Sequence, residues 1–186
     1  MKKKNPPVIC FACFIILYTA IIGLLSCSKK PAEVETPEPQ TTFKFTVNGT
    51  IYQWNGNSAT DPSYGSRINK YTYNGSTWYT LSASPPNGGL YTLLSLKMQT
   101  ASLSIGTYTL TSTTTTSWNL ADHYCGVNGN DIYTSSEVGD FATINISSIH
   151  SGYADGSFTA RLTNINGSLA RVDVTNGEFH NVKIVE

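Results

Sequence analysis

The sequence predicts an all-β protein, and three observations carry that prediction. From Phe43 onward, short segments rich in Thr, Tyr, Val and Ile alternate with turn residues. No window of this part repeats its apolar residues at helical spacing over three turns. Asn-Gly, a pair favoured in tight hairpins because both turn positions take a positive φ, occurs seven times. About eight to ten strands in a chain of this length favour an antiparallel β-sandwich, with a small β-barrel as the alternative.

The composition excludes several classes of protein. The 186 residues include 12 basic and 12 acidic side chains, so the formal net charge is zero, and only 13% of the residues are charged. A nucleic-acid-binding domain needs a basic surface, and a disordered chain needs low hydrophobicity with high charge, whereas 40% of this chain is hydrophobic. We therefore expect one folded domain and no nucleic-acid partner.

The N-terminal segment has the parts of a secretory signal. Lys2–Lys4 are followed by an uncharged apolar run over residues 8–25 and by the sequence Leu24-Leu25-Ser26-Cys27. A small residue immediately before a cysteine resembles a bacterial lipobox, which implies that residues 1–26 are removed and that Cys27 is acylated. An uncleaved membrane helix is the alternative, because a run of eighteen residues lies at the lower edge of a membrane span.

The predicted mature chain consists of a tether and a domain. Residues 27–42 contain three prolines, alternating charges and few apolar residues, which is typical of an extended spacer. The single β domain then covers residues 43–186. By resemblance to bacterial lipoprotein sorting, Ser28 in place of an acidic residue implies lipid anchoring to the outer membrane. Both its periplasmic and its surface leaflet remain open.

Cleavage also changes the charge and the cysteine count. Removing Lys2–Lys4 leaves nine basic residues against twelve acidic ones, a net charge of −3, and removes Cys10 and Cys13. Cys125 then has no partner for an internal disulfide, so the domain must be stabilised by its core. A catalytic pair of Cys125 with His123 is a hypothesis, but a lone cysteine usually packs as a small buried hydrophobe.

The first hairpin is predicted at Asn48-Gly49. With these two residues as the loop, Phe45 lies opposite Tyr52 and Phe43 lies opposite Trp54. All four aromatic side chains then fall on one face, so we interpret Tyr52 and Trp54 as core residues.

The second hairpin, at Asn74-Gly75, divides its aromatic residues differently. Leu81 shares a face with Tyr79 and Ala83, which makes the better core. The opposite, outward face then carries three aromatic residues, Tyr71, Tyr73 and Trp78. Exposed aromatic rings usually mark a contact surface, and flat sugar rings stack on them, so this trio is the candidate binding site.

The third hairpin contains Asn166-Gly167. A three-residue loop over residues 165–167 gives the consistent register, with Gly167 in the left-handed position. The expected cross-strand pairs are Leu162 with Ala170, Ala160 with Val172, and Phe158 with Val174. Alternation also predicts strands in three other segments: Leu90 to Met98, Phe141 to Ile149, and Val182 to Val185. The longest loops are expected over residues 55–69 and 111–116.

Several polar residues are candidates for catalytic or metal-binding groups. A metal site could combine the three histidines with an aspartate, and Glu137 with Asp140 could form the carboxylate pair of a glycosidase. Neither set has motif spacing, and the possible calcium loop lacks the order of ligands that such loops need. We therefore predict no metal, no cofactor and no enzyme activity. The residues concerned are His123, His150, His180, Asp122, Asp173, Asn128, Asn130 and Asp131.

The C-terminal part resembles small uncharacterised lipoproteins of Bacteroidota. The likeness rests on a Gly-x-Phe strand within residues 156–162 and on a closing Thr-Asn-Gly-x-Phe hairpin within residues 172–182. A mid-domain Gly-Thr-Tyr strand within residues 104–110 is similar as well. The resemblance implies an envelope location and a β domain, and no catalytic residues.

Together these features predict a lipid-anchored envelope protein with a non-catalytic role. The expected role is binding or scaffolding, with a glycan or an envelope protein as the partner. Two alternatives remain open: a barrel that carries an apolar ligand, and a hydrolytic enzyme that uses loop carboxylates or histidines.

Overall fold

The computed structural model describes residues 40–56, 65–85, 93–115, 122–127, 131–165 and 170–186, which belong to a compact unit from Pro39 to Glu186. The predicted signal, Cys27 and nearly all of the tether lie outside the described residues. The strands, in chain order, are β1 (Thr42–Val47), β2 (Thr50–Asn55), β3 (Arg67–Tyr73), β4 (Ser76–Ala83), β5 (Leu94–Gln99), β6 (Gly106–Thr111), β7 (Tyr124–Val127), β8 (Asp131–Thr134), β9 (Phe141–His150), β10 (Tyr153–Asn164) and β11 (Arg171–Val185). The described residues include no helix with the length and hydropathy needed to cross a membrane.

The strands pair into one large sheet that folds back on itself. Strands β2-β1-β11-β10-β9-β6 form one layer, sheet 1, and strands β3-β4-β5-β7-β8 form the second, sheet 2. The C-terminal end of β11 pairs with β3 and that of β10 pairs with β8, so both long strands pass from sheet 1 to sheet 2. These two connections close the hydrogen-bonded circuit and give the sandwich a barrel-like character.

The predicted all-β class is confirmed, with two differences in detail. The described residues form eleven strands, slightly more than expected. The sheet is also mixed, because β11 pairs with β3 in parallel, with Lys183 opposite Arg67, whereas every pair was expected to be antiparallel. Parallel neighbours need a long crossover, and here most of the domain lies between the two strands.

One apolar core fills the space between the two sheets. Strands β1, β4, β5 and β10 bury nearly every second side chain, as alternation along a pleated strand requires. Both sheets contribute large buried side chains, and each is worth roughly 2 kcal/mol of stability. The largest are Tyr79, Phe43, Phe45, Phe179, Ile68, Leu81, Leu94, Leu96, Met98, Ile144, Ile146 and Leu162.

The hairpin at Asn48-Gly49 has the predicted register. Phe45 lies opposite Tyr52 and Phe43 lies opposite Trp54. The two turn residues have φ values of +50° and +76°, as such a turn requires. Trp54 stacks on Phe43 with ring centroids 5.4 Å apart and planes 7° from parallel, and it packs against the core.

The predicted register of the β10–β11 hairpin is wrong. Leu162 lies opposite Val172 instead of Ala170, and the other two expected pairs are displaced as well. The last pair of the ladder is Thr163 with Arg171, so the connection is longer than the three residues expected. The partners of Leu162 and Ala160 are displaced by two residues, which leaves each side chain on the same face, so alternation could not reveal the error. The partner of Phe158 is displaced by three, because the register shifts between Phe158 and Ala160. The predicted left-handed Gly167 lies outside the described residues.

Asn176-Gly177 does not form the expected closing hairpin, because it lies inside β11. Asn176 has a φ of +52° and marks an extra residue relative to both neighbouring strands, β10 and β1. Asn181, with a φ of +51°, marks a second register shift five residues further on. Such bulges bend a strand and increase its twist, which directs the end of β11 towards β3.

Two glycines and two phenylalanines pack reciprocally at the centre of β10 and β11. Gly156 lies opposite Phe179, and Phe158 lies opposite Gly177. A Cβ atom on Gly156 would lie 2.6 Å from the Phe179 ring and 2.1 Å from the Asn145 carbonyl oxygen. A Cβ atom on Gly177 would lie 2.5 Å from the Phe158 ring. Each ring therefore covers the glycine of the opposite strand.

We predict that Gly156→Ala and Gly177→Ala each destabilise the domain by about 3 kcal/mol, because the added methyl group meets backbone oxygen as well as a packed ring. Urea unfolding of the two variants measures the loss. Ser157→Ala, at an exposed position between Gly156 and Phe158, is the control and should change stability by less than about 0.5 kcal/mol. Stability equal to that of the unaltered protein in both glycine variants would contradict the packing argument.

Candidate functional site

The β3–β4 hairpin displays the three predicted aromatic residues on the outer side of sheet 2. Its register is as predicted, with Tyr71 directly opposite Trp78. The inward residues of β4 are buried, so the outward face of the same strand cannot belong to this core. Tyr73 is 59% exposed, while Tyr71 and Trp78 are half-buried. We call the surface formed by these three residues the aromatic face.

Polar side chains from β5 and from the segment before β7 border the aromatic face. Gln99 lies opposite Trp78, and Lys97 lies opposite Thr80. The Lys97 ammonium lies 3.7 Å from a carboxylate oxygen of Asp122. The site thus combines ring faces with donors and acceptors, as sugar-binding and other small-ligand sites do.

The aromatic rings differ in what they offer a ligand. Burial raises the pKa of Tyr71, a hydrogen bond with Thr80 lowers it in part, and nearby Asp122 adds to the rise, so the phenol stays protonated at neutral pH. The Nε1 atom of Trp78 is covered and has no acceptor among the described residues. Trp78 therefore presents part of its ring surface and not its N–H group.

His123 is a structural residue that bridges β5 and β6. Its Nδ1 accepts a hydrogen bond from the Lys97 backbone N–H at 3.2 Å, and its Nε2 lies 3.3 Å from the Leu110 carbonyl oxygen. Nε2 must therefore carry the proton, which defines a neutral imidazole. Burial lowers the pKa of His123 to about 4, despite the opposing effect of the Leu110 carbonyl.

The Cys125–His123 catalytic hypothesis finds no support in the geometry. Cys125 is fully buried, and burial raises the pKa of its thiol to about 12. Both ring nitrogens of His123 are already engaged with backbone groups of β5 and β6. A protonated, inaccessible thiol without a base is not a nucleophile.

The other two histidines converge on Asp155 instead of joining His123. His150 Nε2 lies 3.0 Å from Oδ2 of Asp155, and His180 Nδ1 lies 3.9 Å from Oδ1. Ser148 donates to the same Oδ2 at 2.5 Å, and the Asn181 backbone N–H donates to Oδ1 at 2.8 Å. Burial would raise the pKa of Asp155, but these hydrogen bonds outweigh it and leave the pKa below its usual value.

This cluster lacks the arrangement of a catalytic triad. Ser148 and His150 both bind the Asp155 carboxylate, so the serine hydroxyl has no histidine placed to accept its proton. Within the described part of the chain, no three His, Cys, Asp or Glu side chains are placed to hold a metal ion. Asp173, the other aspartate considered, pairs with Arg161 at 2.9 Å.

Asp140 holds the segment before β9 against β10 and β11, and it contacts the Glu137 backbone instead of forming a carboxylate pair with its side chain. Asp140 is fully buried, and its Oδ2 accepts hydrogen bonds from the Glu137 backbone N–H and the Thr163 hydroxyl. Its Oδ1 lies 3.2 Å from Nε of Arg171. Asn128, Asn130 and the Asp131 side chain, the other residues of the calcium loop that the sequence argues against, lie outside the described residues.

The two described cavities are open grooves. One, of about 300 Å³, lies on the outer side of sheet 1 and is lined mainly by hydroxyl and amide groups, together with the Glu178 carboxylate and the almost fully buried Phe158. Another of similar size lies between β5 and β6, beside Gln99 and Tyr108. The groove on sheet 1 has no exposed aromatic ring, so we place the candidate site on the aromatic face.

Sequence reasoning placed the aromatic trio but missed its polar border. Alternation of Leu94, Leu96 and Met98 could already have set Lys97 and Gln99 on the outward side of β5. That β5 lies beside β4, and that Asp122 lies beside Lys97, depends on contacts between segments far apart in sequence. Neither a protein-family model, nor a curated protein, nor a solved structure matches the chain.

We predict that His123 makes stability fall between pH 6.5 and pH 4. Its pKa is about 4 in the folded protein and about 6.5 when unfolded, so in this window only the unfolded chain takes up the proton. The contribution of His123 to the free energy of unfolding is fully present above pH 6.5 and has decreased by about 3 kcal/mol at pH 4. Urea unfolding at several pH values measures the change.

His123→Gln should lower stability at pH 7 and remove most of this pH dependence, whereas His180→Gln, at an exposed position, should keep it. An unaltered pH dependence in His123→Gln would show that other groups cause it.

Proposed function

We propose that the protein is a lipid-anchored component of the cell envelope whose β domain binds a glycan without catalysing a reaction. The observation that supports the glycan most directly is the aromatic face, where Tyr73 is 59% exposed beside half-buried Tyr71 and Trp78. Aromatic rings fixed on a sheet offer flat apolar area at little cost in conformational entropy. Flat sugar rings stack on such area, and nearby Lys97, Asp122 and Gln99 suit sugar hydroxyl groups.

The electrostatics of the domain favour a ligand of low charge. At the border of the aromatic face, the Lys97 ammonium and the Asp122 carboxylate lie 3.7 Å apart and neutralise each other's charge. From Thr41 onward the chain has seven basic and nine acidic residues, so it lacks the basic excess that attracts nucleic acid. A largely neutral polysaccharide fits this balance.

A non-catalytic role is supported by the state of the reactive groups. The described histidines and cysteine, together with Asp140 and Asp155, are engaged in hydrogen bonds, ion pairs or core packing. The described core side chains pack between the sheets. One described groove lies on the outer side of sheet 1, and the other opens between β5 and β6. Neither is an enclosed apolar cavity, so the carrier alternative gains no support from them.

We predict that the unit of residues 39–186 captures at least one glycan on a glycan array. Trp78→Ala and Tyr73→Ala should each weaken that binding about tenfold, because each removes a stacking ring. Isothermal titration calorimetry with the captured glycan measures the change. Thr159→Ala, on the exposed outer side of sheet 1, is the matched control and should bind like the unaltered protein.

Melting temperatures separate lost binding from lost folding, and exposed Tyr73 provides a variant that leaves the core intact. Capture of no glycan would contradict the proposed function, as would capture that survives both aromatic substitutions. Binding of a purified envelope protein in place of any glycan would favour the protein partner.

The lipid anchor is a separate part of the proposal, supported by the Leu-Leu-Ser-Cys sequence before the tether. We predict that the full chain, expressed in a bacterium with lipoprotein processing, incorporates an alkyne analogue of palmitate. Cys27→Ser should abolish the label, whereas Cys125→Ser should keep it, because Cys125 is buried in the domain. Labelling that persists in Cys27→Ser would contradict acylation at that residue.

A further inference from the structure

We infer that the aromatic face is one end of a longer binding surface whose other end is Tyr124 on β7, and that this surface takes a straight β-1,4-linked oligosaccharide. The inference rests on the proposed glycan-binding function. It adds a second stacking ring, a minimum ligand length and a linkage.

Tyr124 lies flat against the outer side of sheet 2. Its neighbour Cys125 is buried, so alternation directs Tyr124 to the same side as the aromatic face. A Cβ atom on Gly126 would lie 2.2 Å from the Tyr124 hydroxyl oxygen and 2.8 Å from Cζ, so the end of the phenol ring lies directly over Gly126. The glycine leaves the space that the ring occupies. Burial against the sheet also raises the pKa of Tyr124.

The register of the strands sets the separation of the two ring systems. Trp78 on β4 lies opposite Gln99 of β5, and Tyr124 on β7 lies opposite Ser95 of the same strand. Four residues along the strand and two strand spacings across place the Cα atoms of Trp78 and Tyr124 roughly 16 Å apart. The end of the Tyr124 ring, over Gly126, lies further still from Trp78. This span exceeds a single sugar ring and suits a short chain of rings.

Polar groups occupy the surface between the two ring systems. Lys97 lies on β5 between Gln99, the partner of Trp78, and Ser95, the partner of Tyr124. Thr80 of β4 lies opposite Lys97, and Asp122 lies beside it. Rings at both ends with hydrogen-bonding groups between them match a chain that stacks at its ends and hydrogen-bonds at its centre. A β-1,4-linked chain of glucose units has this form, because it is straight and its rings have flat apolar faces.

The test is calorimetric titration of the unit of residues 39–186 with cello-oligosaccharides of one to six glucose units. We expect affinity to rise with chain length until both ring systems are engaged. Tyr124→Ala should lower the affinity for cellohexaose about tenfold and leave that for cellobiose unchanged. Trp78→Ala should weaken both.

Gly126→Ala provides a sharper variant, because the new methyl group displaces the Tyr124 ring without removing it. It should act like Tyr124→Ala, whereas Tyr124→Phe, which keeps the ring, should bind cellohexaose nearly as well as the unaltered protein. Thr159→Ala serves again as the control. Melting temperatures confirm that Gly126→Ala is folded, as expected when the displaced group is the end of a flexible side chain.

The possible outcomes separate this inference from the proposed function. Equal affinity for cellobiose and cellohexaose, or no effect of Tyr124→Ala, would overturn the extended surface and leave glycan binding intact. Capture of another glycan on the array, without binding of any cello-oligosaccharide, would overturn the β-1,4 ligand alone. Capture of no glycan at all would overturn both.

Discussion

The reciprocal packing of Gly156 with Phe179 and of Gly177 with Phe158 is the contact on which the rest of the domain depends. The two rings lie at the centre of the longest strands, and Phe43 of β1 packs on both, with centroid distances of 5.4 and 6.1 Å. The same contact therefore attaches the β1–β2 hairpin to β11. Because the bulge at Asn176 directly precedes Gly177, the glycine that receives the Phe158 ring also adjoins the bend in β11.

The bend in β11 also positions the edge strand β3 of sheet 2. After the second bulge, β11 pairs with β3 and holds the edge of sheet 2, while the far end of β10 holds β8. The inner residues Ile68 and Leu81 are fully buried, so the β3–β4 hairpin is fixed to the core from inside and displays its outer rings on a supported surface. His123 adds a third connection by linking β5 to β6 through its two ring nitrogens. A surface held this way needs little ordering when a ligand binds.

Local sequence signals were sufficient for the hairpins and faces, and insufficient for the order of the strands. Both positive-φ residues of the Asn48-Gly49 and Asn74-Gly75 turns follow from residue type, and alternation then separated core from surface. The same signal failed at Asn176-Gly177, because an isolated Asn with positive φ also fits a bulge inside a strand. Ser151-Gly152 forms a tight turn between β9 and β10 that Asn-Gly counting could not find. The parallel β11–β3 pair and the His123 bridge join distant segments, so no local pattern encodes them.

The state of the reactive side chains is the argument for the proposed binding role over catalysis. The described groups with the strongest reactivity stabilise the fold. The Cys125 thiol is buried with a pKa of about 12, and His123 has both ring nitrogens engaged. Asp140 is fully buried and contacts the Glu137 backbone N–H, Thr163 of β10 and Arg171 of β11. Asp155 likewise has both oxygens occupied. The described outer surface of sheet 2 instead exposes aromatic rings, and the Lys97–Asp122 ion pair lies at their border. Ring area binds flat, neutral partners by stacking and supplies neither a nucleophile nor a proton donor matched to neutral pH.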